Sequence, residues 1–209
     1  MRKYISSVIF GAFLSISAMA NSSIFNGKNL DGWKFYLEDS SVNPSTVFFV
    51  ENEVINVLGK PFGYMYTQKK YTNFKLSLEW RYPKTPSNSG VFVFVQDNHK
   101  LWPNAVECQL CAGKAGDFVL LGGSDIAEFK CKGKRPAFPV VARSENDVEK
   151  PIGEWNKYDI ICNDGNITVY LNSKKVNVGT KSMFKSGHIA LQSEGDLIQF
   201  RNIKIEDIK

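Results

Sequence analysis

The chain alternates. In "FKLSLEWR", Phe74, Leu76, Leu78 and Trp80 fall on one side of an extended strand, and Lys75, Ser77, Glu79 and Arg81 fall on the other. In "NAVECQL" (Asn104 to Leu110), Val106, Cys108 and Leu110 share one side, and Glu107 and Gln109 share the other. Clean alternation is the mark of a strand with one face on a core and one face in water. Water alone would be satisfied by Lys, Thr and Ser. Outward faces that carry two glutamates, an arginine and a glutamine ask for a further reason.

The same pattern predicts strands at Val47–Glu51, Glu53–Leu58, Tyr64–Thr67, Phe74–Tyr82, Val91–Gln96, Ala105–Leu110, Phe118–Leu121, Ala127–Cys131 and Val140–Arg143. Further strands are predicted at Trp155–Cys162, Ile167–Leu171, Lys175–Val178, His188–Gln192 and Leu197–Ile205. "NDGN" after Cys162 puts Asp-Gly at the centre of a hairpin, and "LNSKKV" is a second tight reversal. No segment sustains a helical period, and no repeat is visible. This many strands in one domain means two packed antiparallel sheets or a barrel. Val91–Gln96 is apolar on both faces. Phe92 and Phe94 belong either to a second layer of core or to a half-covered groove.

The N-terminus reads differently. Arg2 and Lys3 precede a largely apolar run from Ile5 to Ile16, and Ala18-Met19-Ala20 has the small-x-small form of a cleavage site. Residues 1–20 are therefore expected to be an export signal, too short in its apolar part for a comfortable membrane span, leaving residues 21–209 as a single domain. A periplasmic or extracellular destination follows. Losing Arg2 and Lys3 and no acidic residue takes the formal net charge from +5 to +3. That is too mild to indicate nucleic acid or a membrane surface, and no other stretch suggests membrane insertion. Aromatic residues at 13% favour a well-packed core and a stacking surface.

The four cysteines are Cys108, Cys111, Cys131 and Cys162. Alternation puts Cys108 and Cys111 on opposite faces, and no second pair completes a zinc set. Buried free thiols are expected, although an exported chain allows a Cys111–Cys131 bridge. There is no phosphate-cradling glycine loop, no HExxH and no GxSxG. After the signal only His99 and His188 remain as histidines, so a three-histidine metal site is impossible. No cofactor is expected, with a divalent metal left open. Any chemistry must fall mainly to carboxylates, Arg, Lys and Tyr.

Five blocks carry a resemblance. "SIFNGKNLDGW" (Ser23 to Trp33), "EWR…NSGVF" (Glu79 to Phe92), "WPNAVECQL" (Trp102 to Leu110), "KPIGEWNKYDIIC" (Lys150 to Cys162) and "GHIALQSEG…FRNIKI" (Gly187 to Ile205) occur in that order. Together they resemble the 3-keto-disaccharide hydrolase domain family. The resemblance implies an all-β, concanavalin-like jelly-roll sandwich of two antiparallel sheets with a sugar-facing surface. It also implies cleavage of 3-keto-glycosides by elimination and hydration. The chain departs from the family after the E-x-Q strand, where it has Cys111-Ala112, and in the closing block, where Glu194 stands at a position usually held by histidine.

On that basis Glu79, Arg81, Glu107 and Gln109 are expected to converge on one groove. Glu79 and Glu107 would serve as acid and base, and Arg81 would stabilise an enolate oxygen. Gln109 would bind sugar hydroxyls. Trp102 would stack on a sugar face or join the core. Asn88 would first make a turn and then line the rim. Gln192 shares a face with His188, and Glu194 joins them if the strand continues. From alternation alone, the polar faces read more readily as solvated cross-strand Glu–Arg pairs, and it is the resemblance that favours a site. Two readings stay open: an exported enzyme that cleaves an oxidised glucoside or disaccharide, and a noncatalytic carbohydrate-binding jelly roll.

Overall fold

A computed structural model describes residues 21–98 and 100–208. The export signal expected over residues 1–20, and His99, lie outside the described residues. Two antiparallel sheets face each other. The first runs in the order β13 (Lys174–Gly179), β12 (Asn166–Leu171), β11 (Asn156–Asn163), β6 (Phe74–Arg81), β15 (Ile198–Asp207), β4 (Val54–Val57) and β3 (Phe48–Glu51). β1 (Asn21–Ser23) also pairs with β15. The second runs β10 (Val140–Val141), β9 (Phe118–Leu121), β8 (Ala105–Gln109), β7 (Gly90–Val95), β14 (His188–Ser193), β5 (Gly63–Thr67) and β2 (Trp33–Leu37). Among the described residues the helical content is one short turn, Pro44–Thr46. The expected all-β sandwich is the fold.

The inward halves of the alternating strands make the core. Phe74, Leu76, Leu78 and Trp80 of β6 pack with Tyr158, Ile160 and Cys162 of β11. They meet Val91, Val93, Val106, Cys108, Ile189 and Leu191 from the second sheet. The two reversals behave as read. Asp164 and Gly165 both take positive φ between β11 and β12, as do Asn172 and Ser173 between β12 and β13, the signature of a two-residue hairpin turn matched to strand twist.

Three expectations are corrected. Ala127–Cys131 is not a strand. Ile126 is buried, Ala127 N–H donates to Thr180 O at 2.8 Å and Thr180 N–H donates to the Glu128 carboxylate at 2.7 Å. The segment therefore docks at the end of β13 instead of joining a ladder. Conversely, Trp33–Leu37 is a strand that the sequence reading passed over. Trp33 is buried and its indole N–H donates to Ile24 O at 3.0 Å. The cysteines are all free. Cys108 and Cys162 are buried as expected, but Cys111 is half-buried and Cys131 is exposed.

Phe92 and Phe94 split the alternatives between them. Phe94 takes φ 58° and turns into the main core. Phe92 lies on the outer face of the second sheet, buried with Tyr64, Tyr66, Val119, Leu121 and Ala190 in a separate apolar cluster. That outer face is therefore covered ground, and this is where the site forms.

Candidate functional site

Strand register builds the site as two rows across the outer face of the second sheet. In one row Tyr66, Ala190, Phe92, Glu107 and Val119 are successive partners, and Val119 pairs with Val140. In the next row Tyr36 pairs with Tyr64, Tyr64 pairs with Gln192, and Gly90 pairs with Gln109. The missing side chain at Gly90 leaves a pit between Gln192 and Gln109. Glu107 leans into it. A Cβ at Gly90 would stand 2.7 Å from Glu107 Cγ and closer still to its Oε1.

The pit opens into a cavity of ≈ 230 Å³ lined by Asn88, Trp102, Glu107, Gln109, Gln192 and Glu194. Val119, Leu121, Phe138 and Val140 close the other side. Glu107 is 3% exposed. Burial first, and the nearby Glu194 carboxylate second, hold its pKa well above the usual carboxylate range. Glu194, one residue past the end of β14, is raised by burial as well. Hydrogen bonds from Asn88 and Gln192 work against that rise by favouring its ionised form. The Gln192 Nε2 bond to Glu194 Oε2 is 2.7 Å.

Both amides thus spend their N–H groups on Glu194, and their oxygens are left over. Asn88 Oδ1, Gln192 Oε1 and Glu107 Oε1 are all buried without a hydrogen-bond partner. Three orphaned acceptors in one pit ask for donors from outside the chain. Gln109 has the opposite bias. Its Oε1 accepts from the N–H groups of Leu110 and Cys111 at 2.9 and 3.0 Å, so its NH₂ is the end available to the cavity. Trp102 meets Phe138 edge to face at 5.4 Å across the mouth.

Six of the eight residues singled out from sequence come together here: Asn88, Trp102, Glu107, Gln109, Gln192 and Glu194. Glu79 and Arg81 do not, and the expected convergence is corrected. They lie on β6, in the first sheet, and their outward face points away from the one that holds Glu107. Glu79 pairs with Arg201 at 2.6 Å and accepts from Asn202 at 3.2 Å. Arg81 donates to Gln199 Oε1 at 2.8 Å and to Gly153 O at 3.2 Å. Arg81 and Arg201 flank the ring of Trp155 at 4.5 and 4.1 Å. These are the cross-strand pairs of a solvated sheet face. His188 shares the sheet face of the site but not the cavity. It is buried against Tyr66 and its Nε2 lies 2.9 Å from Asp97 Oδ1.

The sequence reading missed the wall formed by Val119, Leu121, Phe138 and Val140. "FVLL" is apolar at every position, so periodicity could not say that two of its residues face outward. Among the described residues no cluster of three His, Cys, Asp or Glu side chains is placed to hold a metal ion. No helix among them is long and apolar enough to cross a membrane.

Residues 21–206 match the profile of the 3-keto-alpha-glucoside-1,2-lyase-like domain. A 3-keto-disaccharide hydrolase of Bacteroides thetaiotaomicron is 26% identical over 92% of this chain and 80% of its own. A crystal structure from Parabacteroides distasonis that carries a glycosyl hydrolase name aligns with TM-score 0.66 at 20% identity, covering 90% of this chain and 94% of that one. A carbohydrate binding module from Bacillus subtilis aligns with TM-score 0.62 at 11% identity, covering 84% and 96%. At these identities the structural likenesses establish the concanavalin-like jelly-roll fold and nothing further.

Proposed function

The chain belongs to the 3-keto-alpha-glucoside-1,2-lyase-like family, and from that premise we propose that it cleaves 3-keto-glucosides by elimination across C1 and C2, with Glu107 and Glu194 as the proton-transfer pair. The observation that carries the reading is the trio of buried, unpartnered oxygens on Asn88, Gln192 and Glu107. A sugar ring supplies several hydroxyl donors to one such pit.

The chemistry divides along the environments. Glu107 is the more deeply buried carboxyl and the more strongly raised, so it is the acid. Glu194 is raised less, because two amide hydrogen bonds oppose its burial, so it is the base. A ketone at C3 acidifies the hydrogen on C2. Glu194 takes that proton and the electron pair moves into the C2–C3 enolate. The NH₂ of Gln109 donates to the developing enolate oxygen, the part that the sequence reading gave to Arg81. The pair then returns to form the C1–C2 double bond as the C1–O1 bond breaks. Glu107 gives its proton to the departing oxygen. Addition of water at C1, with a proton back at C2, completes net hydrolysis.

The deciding experiment offers 3-keto-glucosides and their unoxidised counterparts in heavy water. Release of the aglycone from the oxidised series alone, with deuterium at C2 of the sugar product, is the expected result. Comparable cleavage of the unoxidised glucosides without label at C2 would return the chain to ordinary glycosidase chemistry. Sugar binding with no turnover of either series would favour a noncatalytic carbohydrate-binding role.

A further inference from the structure

The cavity is two-sided. One side is amide and carboxyl: Asn88, Gln109, Gln192, Glu107 and Glu194. The other is Val119, Leu121, Phe138 and Val140, with the Trp102 ring at the mouth. Neither valine, the leucine nor the phenylalanine offers a side-chain donor or acceptor. Phe138 is 46% exposed and Val140 is 51% exposed, two of the few large apolar side chains that the described residues leave in water. They are neighbours on one wall of the site. Pro139 O accepts from Leu120 N–H at 2.9 Å, which fastens the segment to β9 and holds both side chains at the rim.

Resting on the reading above, we propose that this wall is the seat of the leaving group, and that the leaving group is aromatic and apolar rather than a second sugar. The size of the cavity fits. At ≈ 230 Å³ it lies below the roughly 300–1,000 Å³ of pockets that enclose a drug-sized ligand, so it takes one ring and leaves the second at the mouth. The three orphaned acceptors hold the sugar on the polar side. What departs from C1 then lies against Val140 and Phe138. A second sugar there would turn hydroxyls toward side chains that cannot bond them, whereas an aromatic ring gains apolar contact with the wall.

The test compares benzyl with methyl 3-keto-glucosides, together with a 3-keto-disaccharide. Benzyl and methyl alcohols leave with similar ease, so a difference between them reports the wall and not leaving-group reactivity. Turnover is read as kcat/KM. Binding of the unoxidised benzyl and methyl glucosides, which the elimination leaves intact, is read by calorimetry. Benzyl should be favoured over methyl by about tenfold in both measurements, the worth of covering roughly one face of an aromatic ring, and over the disaccharide in turnover. In Phe138→Ala and Val140→Ser the preference should shrink to within about twofold. Equal binding of benzyl and methyl glucosides, a disaccharide preferred over benzyl, or a preference that survives both substitutions would overturn the proposal. Benzyl-selective binding without turnover of any oxidised substrate would leave the wall standing and sink the proposed reaction instead.

Discussion

Glu107 occupies the space that a side chain at Gly90 would need. A Cβ at Gly90 would come within 2.7 Å of Glu107 Cγ and 2.8 Å of its carboxyl carbon, with Oε1 nearer still. Gly90 does not adopt a positive φ, so its lack of a side chain serves space and not backbone freedom. Gly90→Ala is therefore expected to displace a carboxyl more than a strand. Stability should fall by about 1 kcal/mol, at the low end for overpacking, because the obstructing atoms can swing. Turnover should fall by about two orders of magnitude, the worth of a positioned acid. Chemical denaturation and kcat together check this. Adding Glu107→Ala to Gly90→Ala should recover most of the lost stability, and a pair that proved additive would mean the two residues do not compete for the same space.

Glu107→Gln separates stability from activity. Burial lifts the folded-state pKa of Glu107 above its unfolded value. A raised carboxyl favours the folded state while protonated, fully so below the unfolded pKa. That contribution is lost as pH rises through the folded pKa. The glutamine keeps the shape and cannot ionise. Its urea midpoint should match the wild type near pH 4 and equal or exceed it near pH 8, while turnover drops by about two orders of magnitude. A variant clearly less stable than the wild type on the alkaline side would mean that Glu107 is ionised and paired in the folded protein.

Glu79 and Arg81 supply the contrast. Their partners are Arg201, Asn202 and Gln199 on the far sheet, with the Gly153 carbonyl and the Trp155 ring just before β11. Glu79→Gln should cost a few tenths of a kcal/mol, as half-exposed ion pairs do. Arg81→Ala should cost about 1 kcal/mol through its lost hydrogen bonds and the bared indole. Both should keep turnover within about twofold of wild type, since neither touches the cavity. A hundredfold loss in either would restore that face to the chemistry.

Those two residues also mark where sequence reasoning stops. Alternation is a property of one strand. It shows that Glu79 and Glu107 both point out of the core, and both do. It does not say which sheet each strand joins, and the link from β6 to β7 crosses from one sheet to the other, so the two outward faces look in opposite directions. Alternation also equates outward with wet, yet Glu107 is 3% exposed, because it leans into a pit walled by Asn88, Gln192, Glu194, Trp102 and Phe138. What was legible was the set of polar residues beside the E-x-Q strand. Asn88, Gln109, Gln192 and Glu194 meet Glu107 because β7, which Asn88 and Ser89 lead into, lies between β8 and β14, the strand that Glu194 follows. The hydroxyl of Ser89 donates to Gln192 O at 2.8 Å and ties the lead into β7 to β14 directly.

Glu194 gives the sharpest test of the proton-transfer pair. Both carboxyls are raised, and the charge of Glu194 is the second cause of the rise at Glu107. The pH profile of kcat/KM for a 3-keto-glucoside should be a bell displaced upward from ordinary carboxylate values. Its acid limb records the ionisation of Glu194, and its alkaline limb the loss of the Glu107 proton, each as a property of the coupled pair. Glu194→Gln should remove the acid limb, because no base is left to ionise, and lower the plateau by about two orders of magnitude. The alkaline limb should move to lower pH, because Glu107 then keeps its burial but loses the neighbouring negative charge. Stability should barely change, since a glutamine at that place can still accept from Asn88 and Gln192. If the residual activity of Glu194→Gln kept both limbs where they were, Glu194 would have no part in moving the proton, and the base would have to come from outside the chain.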